Sequence, residues 1–286
     1  KYLEEHATID NIKHIANGDD RALSAEIHQG LLNLGINGLL IPEEFGGLGL
    51  DLLFAAVISE ALGGGVGPTP FIAPYVMAPT AIRHAGNESQ KKNYLSKIST
   101  NKYRFGVGFG EFIGKRNDAG ITFSDNTLNG RAMFVLDAND ATHLLLADEK
   151  GQIFVVDAKS LNLEMIQLTT NDKTRQYAEV VCKDLEAEVL ESSANSKEPI
   201  NKAIDAGRIM LAADSLGASQ TMIDKAVDYA KERKQFGRAI GSFQAVKHMC
   251  AEMAADLEPC FALIWHAAHC HDHSPAEARL MACHAK

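Results

Sequence analysis

The sequence predicts an α+β protein in which a middle antiparallel β-barrel domain separates an N-terminal all-α domain from a C-terminal α-helical bundle. Residues 1–100 carry helix-spaced apolar positions between glycine-rich turns. Residues 101–191 instead carry short apolar runs separated by turn pairs, which is typical of small barrels or sandwiches. Residues 192–286 return to long helical periodicity. We therefore divide the chain into three domains at these boundaries, and its 286 residues suffice for that number.

The helices predicted for residues 1–100 have recognisable start and stop signals. Asn87 with Gln90 forms a capping-box pattern for a helix that ends near Lys97. Asp19-Asp20 precede a helix with the apolar positions Leu23, Ile27, Leu31 and Leu32, and Leu34-Gly35 follow it. Asp51 precedes the next helix, and Gly63-Gly64-Gly65 follow it. Pro74 precedes a helix that reaches His84.

The middle segment is predicted to consist of strands and hairpins. Asn129-Gly130 lies between two apolar runs and is the strongest local hairpin signal there, and Asp125-Asn126 is a further turn pair. The strand-like runs are residues 121–123, 127–128, 133–136, 143–146 and 153–156. We expect the segment to end near Leu190.

After a polar linker at residues 192–198, the chain is predicted to form long helices. One helix covers residues 199–231, and a second begins at its cap Ser242 and ends near Cys270. The sequence Ser274-Pro275-Ala276-Glu277 starts a third helix through a capping box and a first-turn proline. Because the sequence stops soon afterwards, we expect the bundle to be incomplete and its apolar face to be covered by more chain or by a partner.

Composition excludes several classes of protein. A formal net charge of −9 argues against general nucleic-acid binding, which needs a surplus of Lys and Arg. The sequence has no apolar run long enough for a membrane span and no secretory signal, so we predict a cytoplasmic protein. The cysteines lack paired spacing and are expected to be reduced thiols; they are Cys182, Cys250, Cys260, Cys270 and Cys283.

A basic corner joins the two long helices of the C-terminal segment. Arg233, Lys234 and Arg238 gather beside Phe236, and Gln244 follows one turn into the next helix. Guanidinium donors beside an aromatic face suit a ligand that carries phosphate and a ring. Alternatively, the cations complement the dipole of the first helix and Phe236 fills the corner between the helices.

The residues around this corner resemble a motif of the acyl-CoA dehydrogenase family. Residues 232–237 read Glu-Arg-Lys-Gln-Phe-Gly, and residues 240–247 read Ile-Gly-Ser-Phe-Gln-Ala-Val-Lys, as in the family's C-terminal domain. Residues 38–49 and 86–95 match further family segments in the expected order. The resemblance implies FAD as cofactor, α,β-desaturation of an acyl-CoA, an electron-transfer flavoprotein as acceptor, and the same order of helical, β and helical domains.

The same resemblance assigns cofactor-binding residues to the corner. Arg233 would pair with the pyrophosphate of FAD, Phe236 would lie near the adenine, and Gln244 would bond the dinucleotide, with Gln235 beside them. In the family this corner serves the flavin of a neighbouring subunit. The family's isoalloxazine ring is held by two motifs of the β domain.

Those two ring-binding motifs are altered in this sequence. The first falls on residues 110–117, where only Glu111 is kept and Arg116 replaces a small serine. The second falls on residues 134–136, where Leu136 offers no hydroxyl. We infer that this β domain does not hold a flavin ring in the usual way, although backbone groups alone could bind one. A mixed oligomer with a paralogous partner, as a heterotetramer, would explain the loss.

No residue of this sequence can be named the catalytic base by resemblance. Gly207 precedes Arg208 at the position where some relatives carry the base glutamate. Asp205 and Arg208 match a pair that lines the acyl-CoA site in relatives, so we predict that they bind substrate; their spacing is equally that of a helical ion pair. Gly207 leaves room either for a bulky acyl group or for close helix packing.

One further cluster has the spacing of metal ligands. His266, His269, Cys270 and His273 lie along one helical face and could hold zinc. Histidines also collect at helix ends for dipole and solvent reasons, and we assign no metal site from the sequence.

Three hypotheses for the function remain open. The first is a subunit of a mixed acyl-CoA dehydrogenase, the second is a catalytically silent structural subunit that supports such an enzyme, and the third is a homo-oligomeric dehydrogenase with an altered flavin pocket.

Overall fold

The computed structural model describes residues 1–18, 21–114 and 116–286, without the side chain of Arg21. The predicted cap Asp19-Asp20 lies outside the described residues. The order of N-terminal helices, middle sheet and C-terminal helices is confirmed. The helices are α1 (Tyr2–His6), α2 (Ile9–Asn17), α3 (Arg21–Asn33), α4 (Leu52–Gly64), α5 (Ala78–Ala85), α6 (Glu88–Ser99), α7 (Gly110–Gly114), α8 (Glu198–Glu232), α9 (Gln244–His273) and α10 (Pro275–Ala285).

The N-terminal helices follow their predicted signals closely. The capping box is confirmed, because the Asn87 side chain accepts from the Gln90 amide at 2.9 Å and the Gln90 side chain accepts from the Asn87 amide at 3.0 Å. A π-helical segment, Ile72–Met77, precedes α5 and contains Pro74, so the chain is already helical before the predicted start after Pro74. Asp51 is the residue before α4, as predicted, but its side chain makes no capping bond and instead contacts His273.

The middle segment is an open sheet and not a closed barrel. Its strands pair in the order β6, β7, β3, β1, β4, β5, β8, and β2 pairs with the first half of β3. The terminal strand β8 has only two residues, so it offers little backbone for closing the sheet. The pairing is antiparallel except between β1 and β4. The strands are β1 (Phe105–Gly108), β2 (Gly120–Ser124), β3 (Thr127–Leu136), β4 (His143–Ala147), β5 (Ile153–Asp157), β6 (Leu163–Gln167), β7 (Tyr177–Glu186) and β8 (Glu188–Val189).

The hairpin between β2 and β3 turns at Asp125-Asn126, so the prediction of a turn at Asn129-Gly130 is wrong. Both turn residues have left-handed backbones, with φ of 51° and 59°, as a two-residue hairpin requires. Gly130 instead lies within β3, where a Cβ would come within 2.1 Å of the Gly120 carbonyl oxygen. Its glycine is therefore needed for close strand approach and not for a turn.

The long helix α8 matches its prediction to within one residue at each end. The cap predicted at Ser242 is wrong: Phe243 precedes α9, and the Ser242 hydroxyl donates to the Ala239 carbonyl at 2.7 Å. Ser274 precedes α10 with Pro275 in its first turn, as predicted, but the Ser274 side chain makes no capping bond.

Glycines let the N-terminal helix α4 pack directly on α8. A Cβ at Gly63 would come within 1.9 Å of the Asp214 carbonyl oxygen, and one at Gly217 within 1.9 Å of the Glu60 carbonyl oxygen. The two backbones therefore touch, which fixes the first helical layer against the C-terminal helices.

Candidate functional site

The basic corner is a short β-hairpin between α8 and α9. Strands β9 (Lys234–Gln235) and β10 (Arg238–Ala239) pair, and Phe236 and Gly237 form the turn with φ of 53° and 77°. Phe236 is 91% exposed, so it does not fill the corner between the helices, and that part of the alternative is wrong. An aromatic ring held out in solvent by a left-handed backbone is available for contact with a ligand or a partner.

The charged side chains of this hairpin differ in what they contact. The Arg238 guanidinium lies 4.1 Å from the centre of the Phe243 ring, so it is already engaged. Arg233 is exposed, and no carboxylate of the described residues lies within ion-pair distance of it. Gln244 is exposed near His248, at 3.5 Å between side-chain nitrogens, and the Gln235 side chain donates to the Lys234 carbonyl at 2.9 Å. Arg233 is thus available for an anion, and so is the exposed Lys234 beside it.

The predicted substrate pair forms an ion pair inside the helical layer. Arg208 Nη1 lies 2.8 Å from Asp205 Oδ1, with the Asp205 side chain 6% exposed. Burial raises the pKa of Asp205, and the neighbouring Arg208 charge opposes that rise. The helical ion pair anticipated from the spacing is therefore present, while the role of the pair in substrate binding stays a prediction.

The space beside Gly207 is filled by a neighbouring side chain. A Cβ at Gly207 would come within 2.8 Å of Met77 Sδ, and Met77 is the last residue of the π-helical segment. Close packing is thus what the glycine permits here. A bulky acyl group would have to displace Met77.

The first altered ring motif includes a buried acid. Glu111 lies on the short helix α7 and is 4% exposed, with Oε1 accepting from the Met133 amide at 2.8 Å. Its Oε2 is buried without a partner among the described residues. Burial raises the pKa of Glu111, and the bond from Met133 opposes that rise. The pairing of β3 with β7 shifts register between Ala132 and Val135, which marks a β-bulge. Because Met133 lies within this bulge, its bond to Glu111 supports the bulge.

The two altered ring motifs contact each other directly. The bulge places Phe134 at φ 56°, where its ring is 47% exposed, and the Arg116 guanidinium lies 4.9 Å from the ring centre. Leu136, at the end of the same strand, pairs with Val107 and Tyr177 and brings an aliphatic side chain. A cation stacked on an aromatic ring does not supply the hydroxyl and small side chain that the family motifs use.

The four residues with metal-ligand spacing do not converge. His266 and Cys270 are close, with 3.5 Å between Nε2 and Sγ. His273 instead contacts Asp51 at 3.0 Å, and the His269 ring stacks on His273 at 4.6 Å between centres.

Sequence reasoning missed a buried polar contact between the N-terminal and C-terminal helices. His271 is 4% exposed, with Nδ1 2.9 Å from Asp272 Oδ1 and Nε2 3.1 Å from the Lys202 carbonyl oxygen. Asp272 Oδ2 accepts from the Leu52 amide at 2.6 Å. These bonds join the starts of α4 and α8 to the end of α9. The only signal in the sequence was the density of histidines there.

Comparisons with known proteins match both helical parts of the chain. Residues 3–102 match the family model "Acyl-CoA dehydrogenase, N-terminal domain", and residues 198–286 match "Acyl-CoA dehydrogenase, C-terminal domain". The Acetobacterium woodii protein "Caffeyl-CoA reductase-Etf complex subunit CarC" is 31% identical over 268 residues, which cover 85% of this chain and 70% of that protein.

Solved structures share the fold over nearly the whole chain. The Tcur3481-Tcur3483 steroid ACAD G363A variant superposes with a TM-score of 0.84 at 26% identity, covering 98% of this chain and 78% of that one. The FAD complex of PigA superposes with a TM-score of 0.80 at 20% identity, covering 99% and 83%, which is a likeness of fold alone. Among the helices of the described residues, none has both the length and the apolar content to cross a bilayer.

Proposed function

Since this chain belongs to the acyl-CoA dehydrogenase family, we propose that it is a subunit of an FAD-dependent enzyme that introduces an α,β double bond into an acyl-CoA thioester. We propose further that it shares its flavin site with a paralogous partner subunit in a heterotetramer. The observation that carries this second step is the contrast between the exposed Arg233 and the Arg116–Phe134 contact.

The basic hairpin has the groups that the phosphate and adenine end of FAD needs. Arg233 offers a planar set of donors without a competing carboxylate among the described residues, which suits a pyrophosphate. Phe236 offers an exposed ring for the adenine, and Gln235 and Gln244 offer amide groups at the same end. In the proposed assembly these four side chains reach the flavin of the partner subunit.

The sheet domain of this chain fits the flavin ring poorly. Leu136 has no hydroxyl, and Arg116 is stacked on Phe134 where the two ring motifs meet. Bound FAD would supply the acceptor for the hydride that leaves the β-carbon of the substrate. We therefore propose that the ring is held mainly by the partner's sheet domain.

For the substrate, we propose that Asp205 and Arg208 lie at the acyl-CoA site. Arg208 is partly exposed and could reach a polar group of the thioester ligand, while Asp205 fixes its direction through the bond of 2.8 Å. No base for the α-proton is assigned to this chain, because Gly207 stands at one family position for it.

The acceptor of the electrons is proposed to be an electron-transfer flavoprotein. The Acetobacterium woodii relative is a subunit of a reductase–Etf complex, which supports this choice. The cysteines Cys182, Cys250, Cys260, Cys270 and Cys283 are all free thiols, which suits a reducing compartment such as the cytoplasm.

A second candidate is a catalytically silent subunit that supports a partner dehydrogenase. The position of Met77 against Gly207 favours it, because the room that a substrate could use there is filled. In this version the hairpin still serves the partner's flavin, while Asp205 and Arg208 have only a structural role.

One preparation tests the proposal. The chain is purified alone and together with a paralogous chain encoded beside it, and flavin absorbance and acyl-CoA-dependent dye reduction are measured for both. We expect flavin and activity only in the mixture. Stoichiometric flavin with activity in the single chain would overturn the shared site. Activity of the mixture that survives Asp205→Ala with Arg208→Ala would favour the silent subunit.

A further inference from the structure

Three potential metal ligands meet at the turn between α9 and α10. His266 and Cys270 are four residues apart on α9 and so lie on one face of it. Glu277 comes from the first turn of α10, which folds back after Ser274. One ligand atom from each of His266, Cys270 and Glu277 lies within 4.8 Å of the other two.

The spacing of the first two ligands is already that of a zinc site. With Zn–S of about 2.3 Å and Zn–N of about 2.0 Å, two donors at a tetrahedral angle lie about 3.5 Å apart. The distance between His266 Nε2 and Cys270 Sγ is 3.5 Å. A metal ion can therefore be placed between them without moving α9.

Burial and charge around the cluster also suit a cation. The Cys270 side chain is 1% exposed, so its sulfur lies at the closed end of the cluster. His266 and Glu277 are exposed, which leaves a path from solvent. Among the described residues no lysine or arginine lies within ion-pair distance of Glu277, so its carboxylate is available. As an exposed side chain, it can rotate to shorten its distance to the other two ligands.

We propose that His266, Cys270 and Glu277 bind one divalent cation of the zinc class, with water in the fourth position. Thiolate and imidazole are ligands that select such ions over magnesium or calcium. Binding removes the thiol proton of Cys270 and links α10 to α9 across the turn. The site crosses the turn to Glu277 in place of His269 and His273, which contact each other and Asp51.

The alternative is a hydrogen bond between the Cys270 thiol and the His266 ring, with no affinity for metal. Co²⁺ distinguishes the two, because a cobalt–thiolate bond gives a near-ultraviolet charge-transfer band and a hydrogen bond does not. The metal-free 286-residue chain is titrated with Co²⁺ and then with Zn²⁺. We expect the band to saturate at one Co²⁺ per chain and to disappear when Zn²⁺ displaces the cobalt.

Matched variants assign the ligands. Cys270→Ser is expected to abolish the band, whereas Cys283→Ser, which changes an exposed cysteine on α10, is expected to keep it. Glu277→Gln changes an exposed side chain and is expected to weaken Co²⁺ binding by at least about tenfold, because even changes beyond the first ligands have effects of that size. Far-UV circular dichroism checks that each variant is folded.

Three results would overturn the proposal. The first is the absence of a thiolate band at millimolar Co²⁺ in the unmodified chain. The second is a band of equal strength in folded Cys270→Ser, and the third is unchanged Co²⁺ affinity in Glu277→Gln, since either of these would place the metal elsewhere. The outcome is independent of flavin content and of the proposed oxidoreductase activity.

Discussion

The basic hairpin, residues 233–244, and the ring segments, residues 110–114, 116–117 and 134–136, are built in opposite ways. In the hairpin Phe236 is 91% exposed and Arg233 has no carboxylate partner among the described residues. In the ring segments Arg116 is stacked on Phe134 and Glu111 is buried under the bulge. The hairpin is therefore open to a ligand, whereas the ring segments are occupied by their own side chains. A subunit that contributes the phosphate-binding half of a shared flavin site but lacks the ring-binding half would show this difference.

The largest expected effect comes from removing the Arg233 guanidinium. In the mixed assembly, Arg233→Ala should lower flavin affinity by about tenfold to a hundredfold, because hydrogen bonds to a charged group contribute about 1.5–3 kcal/mol each. Flavin retained after gel filtration, together with fluorescence titration of added FAD, measures the change. Lys231→Ala is the matched control, because Lys231 lies on the preceding turn and pairs with Asp228 at 3.2 Å. Equal flavin loss in both variants would contradict a specific role for Arg233.

The next effect concerns the stability of the ring segments. Glu111→Ala removes the buried acceptor of the partly buried Met133 amide, so we expect a destabilisation of about 1–3 kcal/mol. Urea unfolding at constant pH measures it, with Glu44→Ala on the exposed surface of the N-terminal helices as control. A change no larger than that of Glu44→Ala would show that the bulge does not depend on Glu111.

Glu111 also predicts that the stability of the ring segments depends on pH. Its folded pKa is raised by burial above the ordinary 4.5, so the unfolded chain loses the proton first as pH rises. Protonated Glu111 therefore makes its full contribution to the unfolding free energy at pH values below the ordinary pKa. This contribution is lost as pH rises through the folded pKa. Glu111→Gln should remove this part of the slope of the unfolding free energy against pH. An unchanged slope would contradict a neutral, buried acid at this position.

A smaller effect is expected from the exposed ring of the hairpin. Phe236→Ala should weaken flavin binding in the mixed assembly by about tenfold or less, because an aromatic contact contributes about 0.5–1.5 kcal/mol. The melting temperature of the single chain should not change, since the ring is 91% exposed and supports no core. A fall in melting temperature with unchanged flavin affinity would show that the ring packs within this chain.

Which parts of this contrast were predictable depends on the range of the interactions. The helix α8 was predicted to within a residue because its apolar periodicity is local. The capping box at Asn87 was predictable for the same reason. The turn predicted at Asn129-Gly130 is wrong because glycine is also needed where two strands approach closely. Here the Gly120 carbonyl oxygen lies where a side chain at Gly130 would be.

Contacts between distant segments were not predictable from one sequence. The parallel pairing of β1 with β4 and the open edge of the sheet depend on how the strands assemble. Met77 fills the space at Gly207 from a segment far earlier in the chain. In the same way the sequence indicated Arg233 and Phe236 as a cluster, but only the structure shows that they are exposed and that Arg116 contacts Phe134.

The smallest effect tests whether the Arg116–Phe134 contact alone keeps a flavin ring out of this chain. Arg116→Ser restores the small side chain of the family motif and removes a cation–aromatic contact of about 0.5–1 kcal/mol at an exposed site. We expect a loss of stability of that size in urea unfolding, and no flavin in the single chain, because Leu136 still lacks a hydroxyl. The control Arg131→Ser breaks the 2.7 Å ion pair with Glu179 and lies on β3 outside the motif positions. A yellow, flavin-loaded single chain of Arg116→Ser would show that Arg116 alone prevents flavin binding. The difference between the hairpin and the ring segments would then depend on this one side chain.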